Sequence, residues 1–215
     1  MRNASLLVVL LASGCTTSVW ERTEKVSSDG TEARLYIPKL YAPLRPGSIY
    51  PDRKVAVLAK GRPALVVICP EKGDCRKDEI LEQAAQRGMV VLVLTRPPSA
   101  PPKDDLLRTR AEASPKLVGW LLVEPTGEFL RRWMNAGPIG AAAAVIGSPR
   151  AFAAAFPSSP SKKIPVLLAT LHSDDLPAIP EGAILKLYAA RPSGGLPREA
   201  FRDAVEWLAG KLNAH

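Results

Sequence analysis

The sequence predicts an α/β fold with a mostly parallel sheet that follows an antiparallel hairpin. Two observations support this prediction. Residues 32–37 alternate polar and apolar side chains after a strong turn signal, and the chain from residue 64 onward contains six nearly unbroken apolar runs. Such runs are typical of parallel strands that are covered on both faces. We therefore expect helices on both faces of the sheet.

The hairpin is indicated by the dipeptide Asp29-Gly30. Asp-Gly is among the strongest signals for a tight turn between antiparallel strands. We expect the two strands at residues 22–27 and 32–37. A loop with three prolines should follow at 39–52, and a short strand at 55–58.

The apolar runs are the predicted strands of the parallel part. They cover residues 64–69, 89–94, 117–123, 141–146, 164–171 and 183–189. Residues 78–87 carry apolar side chains on one helical side, and Gly88 suits a helix end, so a helix is predicted between the first two strands. Pro197 suits a first helical position, and an apolar stripe after it predicts a terminal helix that packs on the sheet.

Residues 1–17 resemble a bacterial lipoprotein signal. Arg2 precedes an apolar run, residues 6–12, and Ser13 and Gly14 are small residues before Cys15. The run is too short to span ~30 Å of hydrocarbon, whereas a charge, a short apolar core and small residues before a cleavage site are typical of a secretory leader. We expect cleavage before Cys15 and lipidation of its thiol. The alternatives are an ordinary signal peptide and a buried first strand with a stray cysteine.

The expected layout is a signal peptide at residues 1–14, a lipidated tether at 15–21 and a single domain at 22–215. Thr16 follows the cysteine, where the usual inner-membrane retention signal of lipoproteins is Asp. The resemblance therefore implies a lipid anchor in the bacterial outer membrane, with the domain on the periplasmic side. No second transmembrane candidate is found in the sequence.

The charge of the chain is basic, with a formal net charge of +8. Lys and Arg are scattered, however, with only short pairs such as Arg131-Arg132 and Lys162-Lys163. Scattered charge favours a solvated basic surface over a nucleic-acid interface, and we expect no nucleic-acid partner. Contact with anionic envelope polymers or lipid headgroups is the alternative.

Cys69 and Cys75 remain after the lipidation site. The periplasm permits disulfides, and their spacing could close a short loop. Metal binding is less favoured, because the only histidines are His172 and His215. We expect a disulfide, no metal and no cofactor.

The strand pattern resembles the α/β-hydrolase fold, in particular its dienelactone-hydrolase-like branch, over most of the mature chain. The resemblance is carried by residues 63–68, 86–92 and 164–168, as the third strand, the entry to the fourth and the start of the seventh strand of that fold. Another doubly wound α/β sheet is the alternative.

The resemblance implies a serine at a strand-to-helix elbow, an acid after the seventh strand and a histidine after the eighth. At the elbow this chain has a degenerate sequence with Pro125 at the expected nucleophile position. Because proline fixes φ near −65°, we expect the turn to be altered. The degenerate elbow comprises Val123, Glu124, Pro125, Thr126 and Gly127.

The other catalytic positions are degenerate too. Residues 190–195 contain no histidine, and the oxyanion loop begins Cys69-Pro70-Glu71, which removes an amide donor and adds a negative charge. Only the acid is retained, as Asp174 or Asp175. We therefore expect no catalysis at the family's usual positions.

A relocated catalytic set is the alternative. Ser148 ends one predicted strand and His172 ends the next, on the edge where α/β proteins place their sites. With Asp174 they could form a nucleophile, base and acid. The structural reading, in which Gly-Ser-Pro is a strand-ending turn and His172 makes loop hydrogen bonds, is preferred.

The sequence thus favours an inactive, lipid-anchored hydrolase relative that serves binding or envelope assembly. Its expected partners are the membrane, through Cys15, and an unknown small ligand or envelope protein. One alternative is a weak serine hydrolase. The other is a purely structural lipoprotein whose cleft is filled by its own aromatic side chains, such as Trp120, Phe129 or Trp133.

Overall fold

The described part of the chain contains ten strands and four main helices. The computed structural model describes residues 20–28, 31–43, 54–57, 61–70, 75–94, 107, 110–136, 140–155, 164–172, 182–190 and 196–213. The strands are β1 (Trp20–Ser28), β2 (Thr31–Pro38), β3 (Leu40–Pro43), β4 (Lys54–Val57), β5 (Arg62–Ile68), β6 (Val90–Leu94), β7 (Ala113–Val123), β8 (Ala142–Ile146), β9 (Val166–Leu171) and β10 (Ala183–Tyr188). The helices are α1 (Lys77–Gln86), α2 (Gly127–Asn135), α3 (Pro149–Ala155) and α4 (Arg198–Asn213).

Eight strands form one sheet in the order β1-β2-β6-β5-β7-β8-β9-β10. The β1/β2 and β2/β6 pairs are antiparallel, and the other pairs are parallel. Ser28 lies opposite Thr31, and the predicted antiparallel pair of strands is confirmed. The predicted α/β class and mostly parallel sheet are confirmed. All parallel strands therefore place their carboxyl ends at one edge of the sheet, where α/β proteins build their sites.

Both faces of the sheet are covered, as the apolar runs predict. In β6 every residue is buried: Val91 and Val93 face α1 and α4, whereas Val90, Leu92 and Leu94 face the side of α2 and α3. A strand between two helical layers has no solvated face, which is why it shows no alternation in sequence.

The two predicted helices, at residues 78–87 and after Pro197, are confirmed as α1 and α4. Helix α1 ends before Gly88, whose φ of 65° is the left-handed conformation that favours glycine at a helix end. Helix α4 packs along β7 and β8, and Gly119 permits close approach, because a Cβ there would lie 3.1 Å from Leu212 Cδ1.

The structure departs from the sequence prediction in the connections. The expected loop at 39–52 contains β3, which pairs with β4 in a separate two-stranded sheet. Pro43 lies at the end of β3, where a strand tolerates the loss of its donor. Strand β7 begins at Ala113, before the predicted run at 117. Residues 114–116 are partly or fully exposed, so the apolar run does not extend to them.

The amino-terminal leader and Cys15 lie outside the described residues. No helix in the described part of the chain is both long and apolar enough to cross a membrane.

Candidate functional site

Two strand-to-helix turns stand side by side at the carboxyl edge of the sheet. The elbow turn, residues 124–126, joins β7 to α2, and the serine turn, residues 147–149, joins β8 to α3. Strands β7 and β8 are paired, so the two turns are neighbours. Both carry residues that the sequence singles out.

The elbow turn contains a strained residue at Glu124, whose φ is 46°. Its backbone N–H donates to the Ile146 carbonyl at 2.7 Å. A non-glycine residue at positive φ costs about 1 kcal/mol or more and persists only where the surroundings enforce it. The turn then leads directly into α2, where the Thr126 hydroxyl accepts a hydrogen bond from the Phe129 N–H at 3.2 Å.

This geometry corrects the predicted elbow. The sharp, strained strand-to-helix turn is present rather than altered, and the residue at the strained position is Glu124, not Pro125. The physical reason is that the proline ring excludes positive φ, so the strain falls on the residue before it. A carboxylate side chain, that of Glu124, therefore stands at the strained position of this turn.

Pro125 follows the strained residue and leaves the turn without a backbone N–H donor at that position. In the elbow motif the backbone N–H of the residue after the nucleophile donates to the developing oxyanion. Proline has no N–H, so this donor is missing. The Glu124 carboxylate would also oppose negative charge at the same place.

The sequence resemblance places the second part of an oxyanion site in the segment after β5. The Cys69 N–H donates to the Leu94 carbonyl at 2.9 Å, so it is engaged in the sheet. Pro70 has no donor. Cys69 and Cys75 are joined by a disulfide with a Cα–Cα distance of 5.4 Å. Glu71 lies outside the described residues.

The serine turn presents Ser148 as a helix cap. Its Oγ accepts a hydrogen bond from the Ala151 N–H at 3.3 Å, and its carbonyl accepts from the Ala151 and Phe152 N–H groups. A serine before a helix that bonds the third helical N–H is an N-cap. The side chain is exposed at the surface of the turn.

His172 directly follows β9, and its backbone N–H donates to the Tyr188 carbonyl at 2.8 Å. Its side chain is exposed. Within the described residues no hydrogen bond joins Ser148 to His172. Asp174 and Asp175 lie outside the described residues, so the structure gives no complete Ser148, His172 and Asp174 set.

A cleft of about 260 Å³ opens between the two turns. Glu124 and Ser148 contribute the polar side chains of its lining, and prolines, a glycine and two leucines supply the rest. The lining residues are Glu124, Pro125, Gly147, Ser148, Pro149, Leu171 and Leu196. At Gly147 a Cβ would lie 3.3 Å from the Phe152 ring, so glycine lets the serine turn pack closely on this side chain of α3. The cleft thus combines one carboxylate with largely apolar walls.

The aromatic side chains that were candidates to fill this cleft lie elsewhere. Trp120 and Trp133 are each 2% exposed and pack edge to face, with ring centroids 5.9 Å apart. Phe129 packs against the same core cluster, on the α2 side of the sheet. None of the three lines the cleft: the two tryptophans are core residues, and Phe129 is partly buried against the core.

Sequence reasoning missed Glu124 as the strained residue. The signal was available in the pair Glu124-Pro125, because proline cannot occupy a positive-φ position and the preceding residue is then the remaining candidate. In the described part of the chain, no group of three or more His, Cys, Asp and Glu side chains is arranged to hold a metal ion.

Comparison with known proteins gives a likeness in structure. No protein-family model and no curated protein matches the sequence. The structure is similar to Est1E from Butyrivibrio proteoclasticus at 10% identity and a TM-score of 0.55, covering 90% of this chain and 99% of that one. It is similar to an S-formylglutathione hydrolase from Agrobacterium tumefaciens at 10% identity and a TM-score of 0.54, covering 88% and 94%.

A third solved structure is FphF, a fluorophosphonate-binding serine hydrolase of Staphylococcus aureus. It is 11% identical with a TM-score of 0.53, and the match covers 87% of this chain and 97% of FphF. At such identities the likeness shows the fold alone. The chain therefore has the α/β-hydrolase fold that the sequence pattern resembles.

Proposed function

We propose that this protein is a catalytically inactive member of the α/β-hydrolase fold, anchored by lipid at Cys15 on the periplasmic side of the outer membrane. In this proposal the cleft between the elbow turn and the serine turn binds a small ligand or a segment of an envelope protein. Its role is recognition rather than bond cleavage.

The observation that carries the proposal is the pair Glu124-Pro125 at the elbow. Glu124 takes the strained position with a φ of 46°, and Pro125 removes the amide donor that follows it. Both changes act against the same chemistry, because acyl transfer needs a nucleophile and preorganised donors for the oxyanion. The scaffold of the site persists while its reactive groups are replaced.

The cleft indicates the class of ligand. Its polar side chains are a carboxylate and a hydroxyl, and its walls are largely apolar. Small-molecule sites combine apolar walls with a few placed polar groups. A ligand with a hydrogen-bond donor or positive charge beside a compact apolar part fits this lining.

Reaction with a fluorophosphonate probe tests the absence of catalysis. The purified full chain is incubated with the probe, and intact mass is measured beside Ser148→Ala, with FphF as the positive control. We expect FphF to gain the probe mass and neither form of this chain to do so. An adduct on the parent chain would overturn the proposal.

A weak serine hydrolase is the second candidate. It is favoured by one observation: Ser148 lines the cleft at the carboxyl edge, and β8 pairs with β9, which His172 directly follows. In this case the adduct forms on the parent chain and is lost in Ser148→Ala, although that variant remains folded. The open cleft argues against a purely structural role.

The anchor has its own test. The full chain and its Cys15→Ser variant are expressed in a Gram-negative host and separated into membrane and soluble fractions. We expect the parent chain in the outer-membrane fraction with a lipid-modified mass at Cys15, and Cys15→Ser without that modification. An unmodified parent chain would contradict the lipoprotein assignment.

A further inference from the structure

The two outer strands of the sheet differ in the side chains at their edges. On β1, Glu24 pairs with Arg22 and with Arg110, the latter at 3.0 Å, and Arg22 also pairs with Glu112. Charged groups along an edge protect it against pairing with a further strand. Strand β1 is protected in this way.

Strand β10, at the other edge, carries fewer charged groups and more exposed apolar side chains in its described residues. Among the described residues, the large aliphatic side chains that remain exposed are Ile184, at 49%, and Leu187, at 39%, and both belong to β10. The one charged residue of the strand is Lys186, and its Nζ lies 2.6 Å from Asp203 Oδ2 of α4. An exposed apolar edge strand is a template for pairing with another strand.

Asp203 neutralises the charge of this edge within the same chain. It accepts hydrogen bonds from Lys186 and from the Tyr188 hydroxyl at 2.9 Å. Burial acts to raise the pKa of Asp203, but these hydrogen bonds and the Lys186 charge outweigh it and hold the pKa below its ordinary value. The carboxylate is therefore ionised at neutral pH and pairs with Lys186.

The backbone of β10 offers its free hydrogen-bonding groups at defined positions. The Tyr188 carbonyl accepts from His172 at the end of β9. Because backbone groups alternate in direction along a strand, those of Lys186 and Ile184 also face β9. The groups of Ala183, Leu185 and Leu187 therefore point away from the sheet.

We propose that β10 pairs antiparallel with β10 of a second copy of this chain, with the two-fold axis at Lys186. This inference goes beyond the ligand-binding role of the cleft and does not depend on it. In this register Leu185 lies opposite Leu187 of the other copy, and both residues have outward backbone groups. They form the hydrogen-bonded pairs of the antiparallel ladder.

The side chains favour a second copy as the occupant, because β10 is complementary to itself in this register. The Leu185 and Leu187 pairs share one face of the joined sheet, and Ile184 lies opposite Tyr188 on the other face. Aliphatic and aromatic cross-strand pairs of this kind stabilise antiparallel ladders. Shifting the axis to Leu185 would instead place the exposed Ile184 opposite Lys186.

Lys186 lies opposite itself at the axis, and its ion pair with Asp203 in each copy offsets the repulsion between the two ammonium groups. Six residues per chain bury less than the roughly 1,200–2,000 Å² of a standard interface. We therefore expect a reversible dimer, for which covalent trapping is the suitable measurement.

Cysteine cross-linking of the full chain tests the register. Lys186 occupies a non-hydrogen-bonded self-pair with a Cα–Cα distance of about 4.5 Å, within disulfide range. After mild oxidation, we expect Lys186→Cys to move from the monomer band to a dimer band that reductant reverses. The parent chain, which keeps its three native cysteines, is run beside it.

Two matched variants control for chance collisions. In Leu187→Cys the two new thiols lie roughly 8 Å or more apart in the proposed register, beyond disulfide reach. Thr23→Cys places an exposed thiol on β1, the other edge. We expect both variants to behave as the parent chain. Equal cross-linking at Thr23→Cys, or cross-linking at Leu187→Cys in place of Lys186→Cys, would overturn the proposal.

The mass in solution gives a second readout that needs no new thiol. Light scattering of the full chain, with the detergent contribution subtracted, should give a dimer for the parent chain and for Thr23→Lys. Leu187→Lys should be monomeric, because it places a charged side chain opposite Leu185 of the second copy. A monomeric parent chain that also gives no cross-link at Lys186→Cys would refute the pairing of β10.

Discussion

The elbow turn and the serine turn have the same architecture, but one carries a strained backbone and the other carries a hydroxyl side chain. Each follows a buried parallel strand, contains a proline and leads into a capped helix. The elbow turn has the strained backbone, with Glu124 at a φ of 46°, but no nucleophile in the strained position. The serine turn has the hydroxyl, but Ser148 caps a helix and has no positive φ.

The difference shows that backbone strain and side-chain chemistry are separable in this fold. Strain at a turn is a local cost of about 1–3 kcal/mol that the surrounding packing must enforce. A hydroxyl that caps a helix is a local gain of about 1 kcal/mol. A serine hydrolase needs both properties at one residue, and in this chain they lie on adjacent strands.

The largest expected effect comes from Gly127, where α2 approaches α3. A Cβ at Gly127 would lie 2.5 Å from Ala154 Cβ and 3.1 Å from the Ala151 carbonyl oxygen. The second contact is with backbone, which cannot rotate away. We expect Gly127→Ala to lower the free energy of unfolding by roughly 2 kcal/mol, as overpacking does. Denaturant unfolding of the full chain measures this change.

Gly210→Ala is the matched control. Gly210 lies within α4, and a Cβ there would have no atom within 4 Å. Alanine favours a helix by about 0.5–1 kcal/mol over glycine. The control should therefore raise stability. If Gly127→Ala were as stable as the parent chain, the close contact between α2 and α3 at Gly127 would not exist in the folded protein.

The next effect concerns the helix caps. We expect Ser148→Ala to lower the free energy of unfolding by about 1 kcal/mol, because the Ala151 N–H then loses its side-chain acceptor and keeps only its bond to the Ser148 carbonyl. Thr126→Ala should cost a similar amount through the Phe129 N–H. Thermal or denaturant unfolding gives both values. A Ser148→Ala chain of unchanged stability would remove the structural explanation for this serine.

A smaller effect of opposite sign is expected at the elbow turn. Glu124→Gly should raise the free energy of unfolding by about 0.5–1 kcal/mol. Glycine adopts positive φ without a steric penalty from Cβ, and at this position that gain outweighs the greater conformational freedom of glycine in the unfolded chain. Glu124→Ala keeps a Cβ and should stay within about 0.5 kcal/mol of the parent chain. A loss of stability in Glu124→Gly would mean that the carboxylate, and not the strain, decides the energetics.

Much of the fold was predictable, because it depends on long apolar runs. Strands such as β6 are buried on both faces, and an unbroken apolar run of this length in the sequence is typical of such strands. The hairpin was predictable from Asp29-Gly30 for a similar reason, since few residues suit a tight turn. By contrast, β3 is four residues long and its pairing with β4 depends on contacts distant in sequence.

The site was less predictable than the fold. The sequence drew attention to the elbow residues 123–127, but it did not identify Glu124 as the residue with positive φ. This residue is easy to miss, since a turn has no periodicity to fix its register. The capping role of Ser148 is a contact with Ala151 in the next helix, and that helix, α3, is only seven residues long.

The smallest expected effect is on activity, and it tests the comparison directly. Glu124→Ser places a hydroxyl at the strained position of the elbow turn, so it unites the two parts that the chain keeps on separate strands. We expect this variant to gain neither a fluorophosphonate adduct nor ester turnover. Pro125 still supplies no oxyanion N–H, and residues 189–195, directly after β10, contain no histidine to act as the base. Intact mass after labelling, with FphF alongside, provides the measurement. An adduct on Glu124→Ser that is absent from Glu124→Ala would show that the strained backbone alone activates a serine, and that one substitution separates this chain from a hydrolase.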